Sequence, residues 1–166
     1  MLNDSRNHLN QARVANYTYK ISAGQRYYII VKIKDINGTF KPVRILADSG
    51  NDITILTKST AMALGYDTPT MTDVGSFSVK GINGKAAEFK EISADVIVGK
   101  IPLKIPIGLA TADADLSDNL LGRTGVLDSG KIGFNFDNDS VDVVDKRAGK
   151  LAQGMKVSVC GGGGRC

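Results

Sequence analysis

The sequence predicts an all-β domain, a small barrel or sandwich of many short strands with one or two short helices. Three observations carry that expectation. Val and Ile are frequent, while aromatic residues make up only 6% and Trp is absent. The 19 glycines punctuate short apolar runs. Asn-Gly pairs stand twice between runs of β-forming residues, at Asn37-Gly38 and Asn83-Gly84. With 166 residues, 42% of them hydrophobic, the chain has apolar material for one core of its own.

Residues 1–20 read as a polar N-terminal extension, because no sustained period runs through the first 16 or so; a loose helix is the alternative. The first strand is RYYIIVKIK, Arg26 to Lys34, and the second runs from Phe40 to Ala47. Asn37-Gly38 between them signals a hairpin turn whose two central residues both take positive φ. ITIL is a short buried run, and KSTAMALGY has the spacing of a brief helix ended by Gly65. GSFSVKGINGKAAEFKEIS supplies two β-like runs around the second Asn-Gly pair, and ADVIVGKIPLKIPIGLA two apolar runs pivoting at Gly99-Lys100. Pro102 and Pro106 cannot donate to a ladder, which puts that last run at a sheet edge or interrupts it. NLLGRTGVLDSGKIGFNF combines an apolar run, a short helical turn and a strand. The domain therefore spans 21–144, and 145–166 form a tail ending in CGGGGRC, with MKVSV as an optional added strand.

The formal charge of +4 is modest, and the basic residues are scattered along the strands, which argues against a nucleic-acid partner. No run approaches the length of a membrane span, and the opening residues lack the apolar stretch of a secretory signal. A soluble, cytoplasmic protein without a membrane partner is the expectation. Cys160 and Cys166 flank the terminal glycines, as a free tail, a small disulfide loop or a metal-binding or modified end. The one histidine, His8, lies in the polar extension and supports neither a histidine mechanism nor a metal site, so no metal or cofactor is expected.

The triplet Asp-Ser-Gly occurs twice, in ILADSGNDITIL and in GVLDSGKIGF. In an apolar setting it is the minimal mark of an aspartic peptidase, whose site needs two aspartates. In the first copy Val43, Ile45 and Ala47 alternate with Arg44 and Leu46, so a strand delivers Asp48 into a loop, and Ile53, Ile55 and Leu56 return the chain to the core. Ser49 offers a hydroxyl, and Gly50 permits close backbone approach. In the second copy Gly130 suits the end of a short helix beginning near Thr124, leaving Asp128 an exposed helix residue. The 36 residues after Gly130 are too few to repeat a lobe of roughly a hundred residues, so one chain carries one site aspartate.

These stretches resemble the retropepsin-like aspartic proteases. ILADSGNDITIL resembles the active-site loop of that family, and NLLGRTGVL its second signature, an apolar-apolar-Gly-Arg run before a short helix; the resemblance covers about residues 26–144. It implies a small closed β-barrel of the acid-protease type and a homodimer that hydrolyses polypeptides. By position it makes Asp48 catalytic, with Ser49, Gly50 and Asn51 in the active-site loop. Asp52 and Arg123 become an acid-base pair that supports loop and dimer. FSVKGINGKAAEF matches the flap, with Gly81, Ile82, Asn83 and Gly84 at its tip, and Ile55, Leu121 and Gly122 fall where the family lines its substrate pocket. Asn51 stands where relatives usually carry Ala or Ser, so its amide favours the ionised carboxylate or contacts substrate, and the tail of 22 residues after Val144 departs from the family pattern.

Plainer readings exist for each feature. Asp48 is otherwise a turn aspartate, Arg123 a helix cap or surface residue, and Asn83-Gly84 an ordinary hairpin. The rival function is a catalytically inactive module that keeps the dimeric fold for binding or assembly; a third is a domain excised from a polyprotein that chiefly processes itself.

Overall fold

The computed structural model describes residues 17–22, 26–48, 50–80, 85–112 and 116–147. Strand β1 spans Tyr17–Lys20 and β2 spans Tyr28–Lys34. Along β2 the pleat sends Ile29, Val31 and Ile33 inward and Ile30 and Lys32 outward. Strand β3 (Phe40–Ala47) pairs with it antiparallel from Lys34↔Phe40 to Tyr28↔Leu46. Val43 and Ile45 face the core, while the Arg44 guanidinium lies outside, 3.6 Å from the centre of the Tyr28 ring.

The connecting turn differs from the expected one. Gly38 has φ 84°, but among the described residues no non-glycine has positive φ, so Asn37 does not share the left-handed turn. The carboxylate of Asp35 sets the loop instead, accepting the N–H groups of Asn37 at 2.9 Å and Thr39 at 2.8 Å. One left-handed glycine then suffices in a three-residue loop closed by the Asp35 N–H on the Thr39 carbonyl, 2.8 Å.

Strand β4 (Thr54–Leu56) leads into helix α1 (Lys58–Ala63), whose N-terminus is capped by the Thr57 hydroxyl accepting the Thr60 N–H. Gly65 (φ 90°) follows the helix, as the sequence suggests, and a 3-10 turn at Thr68–Thr70 comes next. Then come β5 (Ser76–Lys80), β6 (Ala86–Val98), β7 (Ile101–Ala110) and the two-residue β8 (Leu120–Leu121). A second 3-10 turn, Leu127–Ser129, precedes β9 (Ile132–Phe136) and β10 (Ser140–Asp145).

The large sheet runs β2-β3-β8-β4-β7-β6-β5, and β6 returns to β2 through Lys32↔Ile97 and Ile33↔Val96. Six strands thereby close into a barrel, and β5 extends from it as one arm of a hairpin with β6. The all-β barrel expected from the sequence is present. Its interior is aliphatic: Ile45, Leu56, Val98, Ile107 and Leu109 are fully buried. Each such side chain contributes about 1.5–3 kcal/mol relative to exposure.

The prolines of β7 do not interrupt it, and they lie in the part of the strand that is paired on one side only among the described residues. The strand pairs with β6 along its whole length, from Phe89↔Ala110 to Val98↔Ile101. On its other side β4 covers only Ile107 to Leu109, so Pro102 and Pro106 lie where that second flank has no ladder among the described residues.

A three-stranded sheet, β1-β10-β9, packs against the barrel. It corrects the boundary of the polar extension, because Tyr17–Lys20 are strand, paired from Tyr17↔Val143 to Lys20↔Ser140. The Tyr19 hydroxyl donates to the Ile30 carbonyl at 2.7 Å and accepts the Gly99 N–H at 3.0 Å, tying this sheet to β2 and to the turn between β6 and β7. Burial raises the pKa of that phenol. Gly99 is needed at the contact: a Cβ there would lie 2.8 Å from the Tyr17 Cβ. Residues 1–16, with His8, and 148–166, with MKVSV, Cys160 and Cys166, lie outside the described residues.

Candidate active site

Asp48 is the first residue beyond β3, and its position is set by backbone partners on both sides. The preceding residues Leu46 and Ala47 donate their N–H groups to the carbonyls of Asn119 (2.8 Å) and Tyr27 (3.0 Å), and Asp48 donates its own to the Leu121 carbonyl at 3.2 Å. The Asp48 carbonyl accepts the Asn51 N–H at 3.2 Å, which turns the chain. One carboxylate oxygen accepts the Gly50 N–H at 2.9 Å. A Cβ on Gly50 would come within 3.2 Å of that oxygen, so glycine here serves close approach. Ser49 lies outside the described residues, as do Gly81, Ile82, Asn83 and Gly84 of the flap tip.

Asn51 does not turn its amide toward Asp48. The amide donates to the Ile53 carbonyl at 2.7 Å, and the Asn51 carbonyl accepts the Arg123 N–H at 2.9 Å. The residue braces the loop from within. The Asp52 carbonyl accepts the Thr124 N–H at 2.8 Å, and the Arg123 guanidinium donates to the Asp52 carboxylate. Asn51 and Asp52 are thus joined to Arg123 and Thr124 by two backbone bonds and one ion pair, whose Asp52 and Arg123 side chains are largely exposed at 81% and 53%.

Beneath the loop, Gly122 donates its N–H to the hydroxyl of Thr54 at 3.0 Å, and Thr54 is fully buried. A Cβ at Gly122 would sit 2.3 Å from the Ile53 carbonyl carbon, so only glycine lets the two backbones meet. Asn119 adds a second staple: its side chain donates to the Arg44 carbonyl and accepts the Thr57 N–H, each at 2.9 Å. The sequence reading singled out neither Thr54 nor Asn119, although Asn119 immediately precedes Leu120-Leu121-Gly122-Arg123.

A cleft of about 550 Å³ opens beside Asp48. Tyr27, Leu46, Ala47, Leu116 and Leu120 form its apolar wall, and Arg26, Ser117 and Asp118 its polar part. The expected pocket residues Ile55, Leu121 and Gly122 do not themselves line this cleft. Leu121 is buried in the barrel core, and Gly122 is packed under the loop. Ile55 belongs to a smaller apolar cluster with Ala87, Phe89 and Ala110. Leu120, the neighbour of Leu121, is the residue that reaches the cleft. Above that cluster Phe77 of β5 stacks on Phe89 of β6, ring centres 5.3 Å apart, anchoring the base of the hairpin.

The second triplet lies apart from this arrangement. Its 3-10 turn is shorter than the expected helix, starting at Leu127 rather than near Thr124, and Gly130 closes it with φ 70°. Asp128 is exposed and accepts the Gly125 N–H at 2.5 Å. Among the described residues no group of histidine, cysteine and carboxylate side chains is arranged to hold a metal, and no helix is long and apolar enough to cross a membrane.

The family model described as aspartyl protease matches residues 31–124, from β2 through the Asp48 loop to the residue after Arg123. A retropepsin-like aspartic protease from Rickettsia conorii is 23% identical, with a TM-score of 0.53 over 76% of this chain and 87% of that one. The EIAV protease complexed with the inhibitor HBY-793 is 24% identical, with a TM-score of 0.47 over 63% of this chain and 88% of that one. No curated protein matches the chain.

Proposed function

The chain belongs to the aspartyl protease family and has a retropepsin-like fold, and from that premise we propose that it is a homodimeric aspartic endopeptidase acting on polypeptides. The observation that carries the reading is that one triplet aspartate per chain, Asp48, reaches the cleft, while Asp128 is spent on a surface turn. A two-carboxylate site then requires a second copy, with the two Asp48 side chains meeting on the two-fold axis.

Two carboxylates at hydrogen-bonding distance hold one proton between them and titrate as a unit. The ionised member takes a proton from water as its oxygen attacks the scissile carbonyl carbon, and the protonated member donates to the carbonyl oxygen. Collapse of the tetrahedral species expels the amine, which takes up a proton, and leaves the new carboxyl group. No covalent enzyme intermediate forms. The β5–β6 hairpin covers the extended substrate and excludes water.

The test is cleavage of a diverse peptide mixture from acidic to neutral pH, comparing wild type with Asp48→Asn by mass spectrometry. Products made only by wild type are expected, with specific activity falling on dilution because a single subunit holds half a site. A folded, dimeric wild type that cleaves nothing at any pH would replace this reading with the inactive binding module.

A further inference from the structure

We propose that Asp118 makes this site selective for a basic side chain next to the scissile bond, an inference that rests on the protease reading above. Asp118 and Asp48 line the same cleft, whose remaining wall is largely apolar. The Asp118 carboxylate is only 25% exposed, yet its partners are weak: the Arg26 guanidinium at 3.9 Å and the Ser117 hydroxyl at 3.5 Å. The contrast with Asp35 is instructive. That carboxylate, 3% exposed, accepts two backbone N–H groups at 2.8 and 2.9 Å and pairs with Lys41 at 3.3 Å. Asp118 retains acceptor capacity directed at the cleft, and a half-satisfied, partly desolvated carboxylate attracts a cation.

Arg26 is 71% exposed, a long side chain free to swing outward. In the free chain it stands where the substrate's cation docks. A substrate Lys or Arg lays its methylenes along Tyr27, Leu46 and Leu120 and brings its charge to Asp118, displacing Arg26. The negative charge on the Asp48 pair reinforces the preference and disfavours an acidic side chain. Each subunit contributes one such cleft, so the residues on both sides of the scissile bond meet an Asp118.

The experiment uses short peptides that differ only at the residue preceding the central bond, which is Lys, norleucine or Glu. Two quantities are read: relative kcat/KM by competition on the active enzyme, and Kd on the inactive Asp48→Asn protein. Lys is expected to exceed norleucine by about tenfold in both, with Glu the poorest. Asp118→Asn should bring the Lys-to-norleucine ratio toward one, and Arg26→Met, an independent variant, should raise it. Norleucine equal to or better than Lys, a preference for Glu, or a ratio insensitive to Asp118→Asn overturns the proposal. Cleavage without Lys preference defeats this inference alone. Lys-selective binding without catalysis defeats the protease reading alone, and failure of the Asp48→Asn protein to bind any of the peptides overturns both.

Discussion

Thr54→Val isolates a single hydrogen bond beneath the Asp48 loop. The exchange keeps the shape of the side chain and replaces the hydroxyl by a methyl, so the Gly122 N–H, now 3.0 Å from the Thr54 oxygen, loses its acceptor. Water cannot stand in, because Thr54 is fully buried and the Ile53 backbone already fills the space where a Gly122 Cβ would lie. The buried donor therefore costs about 1–3 kcal/mol, offset by up to about 0.8 kcal/mol from burying the added methyl. A net loss of about 1–2 kcal/mol is expected, read as a lower urea midpoint at fixed protein concentration with unchanged slope. Activity should fall with it, because Gly122 lies between Leu121, whose carbonyl holds the Asp48 N–H, and Arg123, which holds Asn51. A Thr54→Val protein as stable and as active as wild type would refute the assignment of this bond as a support of the loop.

Three further outcomes follow from the same geometry. Asp128→Asn should leave turnover nearly intact, since an amide oxygen can still accept the Gly125 N–H; a loss as large as that of Asp48→Asn would show that the second triplet takes part in the chemistry. Tyr19→Phe removes the hydroxyl that links Ile30 and Gly99 and should destabilise the protein by about 1–2 kcal/mol in urea; no change would mean that β1 does not contribute to the fold. Asp35 is held below the ordinary carboxylate pKa, first by the Thr39 N–H and then by Lys41 and the Asn37 N–H. Its stabilisation is therefore fully present above the unfolded-state pKa of about 4 and is lost as pH falls through the lower folded value. Asp35→Asn should accordingly be less stable than wild type at neutral pH, with the gap closing in strong acid, and a gap independent of pH in urea titrations would contradict this.

The parts of the fold legible in the sequence are those fixed by neighbours. Alternation in Val43, Ile45 and Ala47 marks a strand aimed at Asp48, and the KSTAMALGY spacing with Gly65 marks a helix that the structure contains. Long-range pairings leave no local trace. Barrel closure joins Lys32 to Ile97, and Tyr17 becomes strand only because Val143 lies opposite it. The turn at Asn37-Gly38 was misjudged in type because a carboxylate two residues earlier supplies the acceptor that a left-handed Asn was expected to make unnecessary. In the site, Leu120 and not Leu121 lines the cleft beside Asp48. Leu120 and Leu121 are adjacent apolar residues of β8, and adjacent strand residues face opposite sides, so composition alone does not say which one meets the cleft. The pairings Leu46↔Leu120 and Ala47↔Leu121 decide it.

The Asp52–Arg123 pair shows why the loop is held mainly by backbone. With side chains 81% and 53% exposed, the pair lies in water-like dielectric, where such contacts contribute only about 0–1 kcal/mol. The bonds that position Asp48 are instead N–H groups donating to Tyr27, Asn119, Leu121 and Asn51 carbonyls and to the Thr54 hydroxyl, none of which depends on ionisation. A protease that works through a carboxylate pair has reason to be built this way, because its support must not titrate along with its chemistry. The exposed pair then acquires weight only where a second subunit shields it from water, since the same charges interact more strongly as the surrounding dielectric falls. In the proposed dimer, Asp52 and Arg123 belong to assembly more than to folding, which explains how so conspicuous an ion pair can lie on the surface of a single chain.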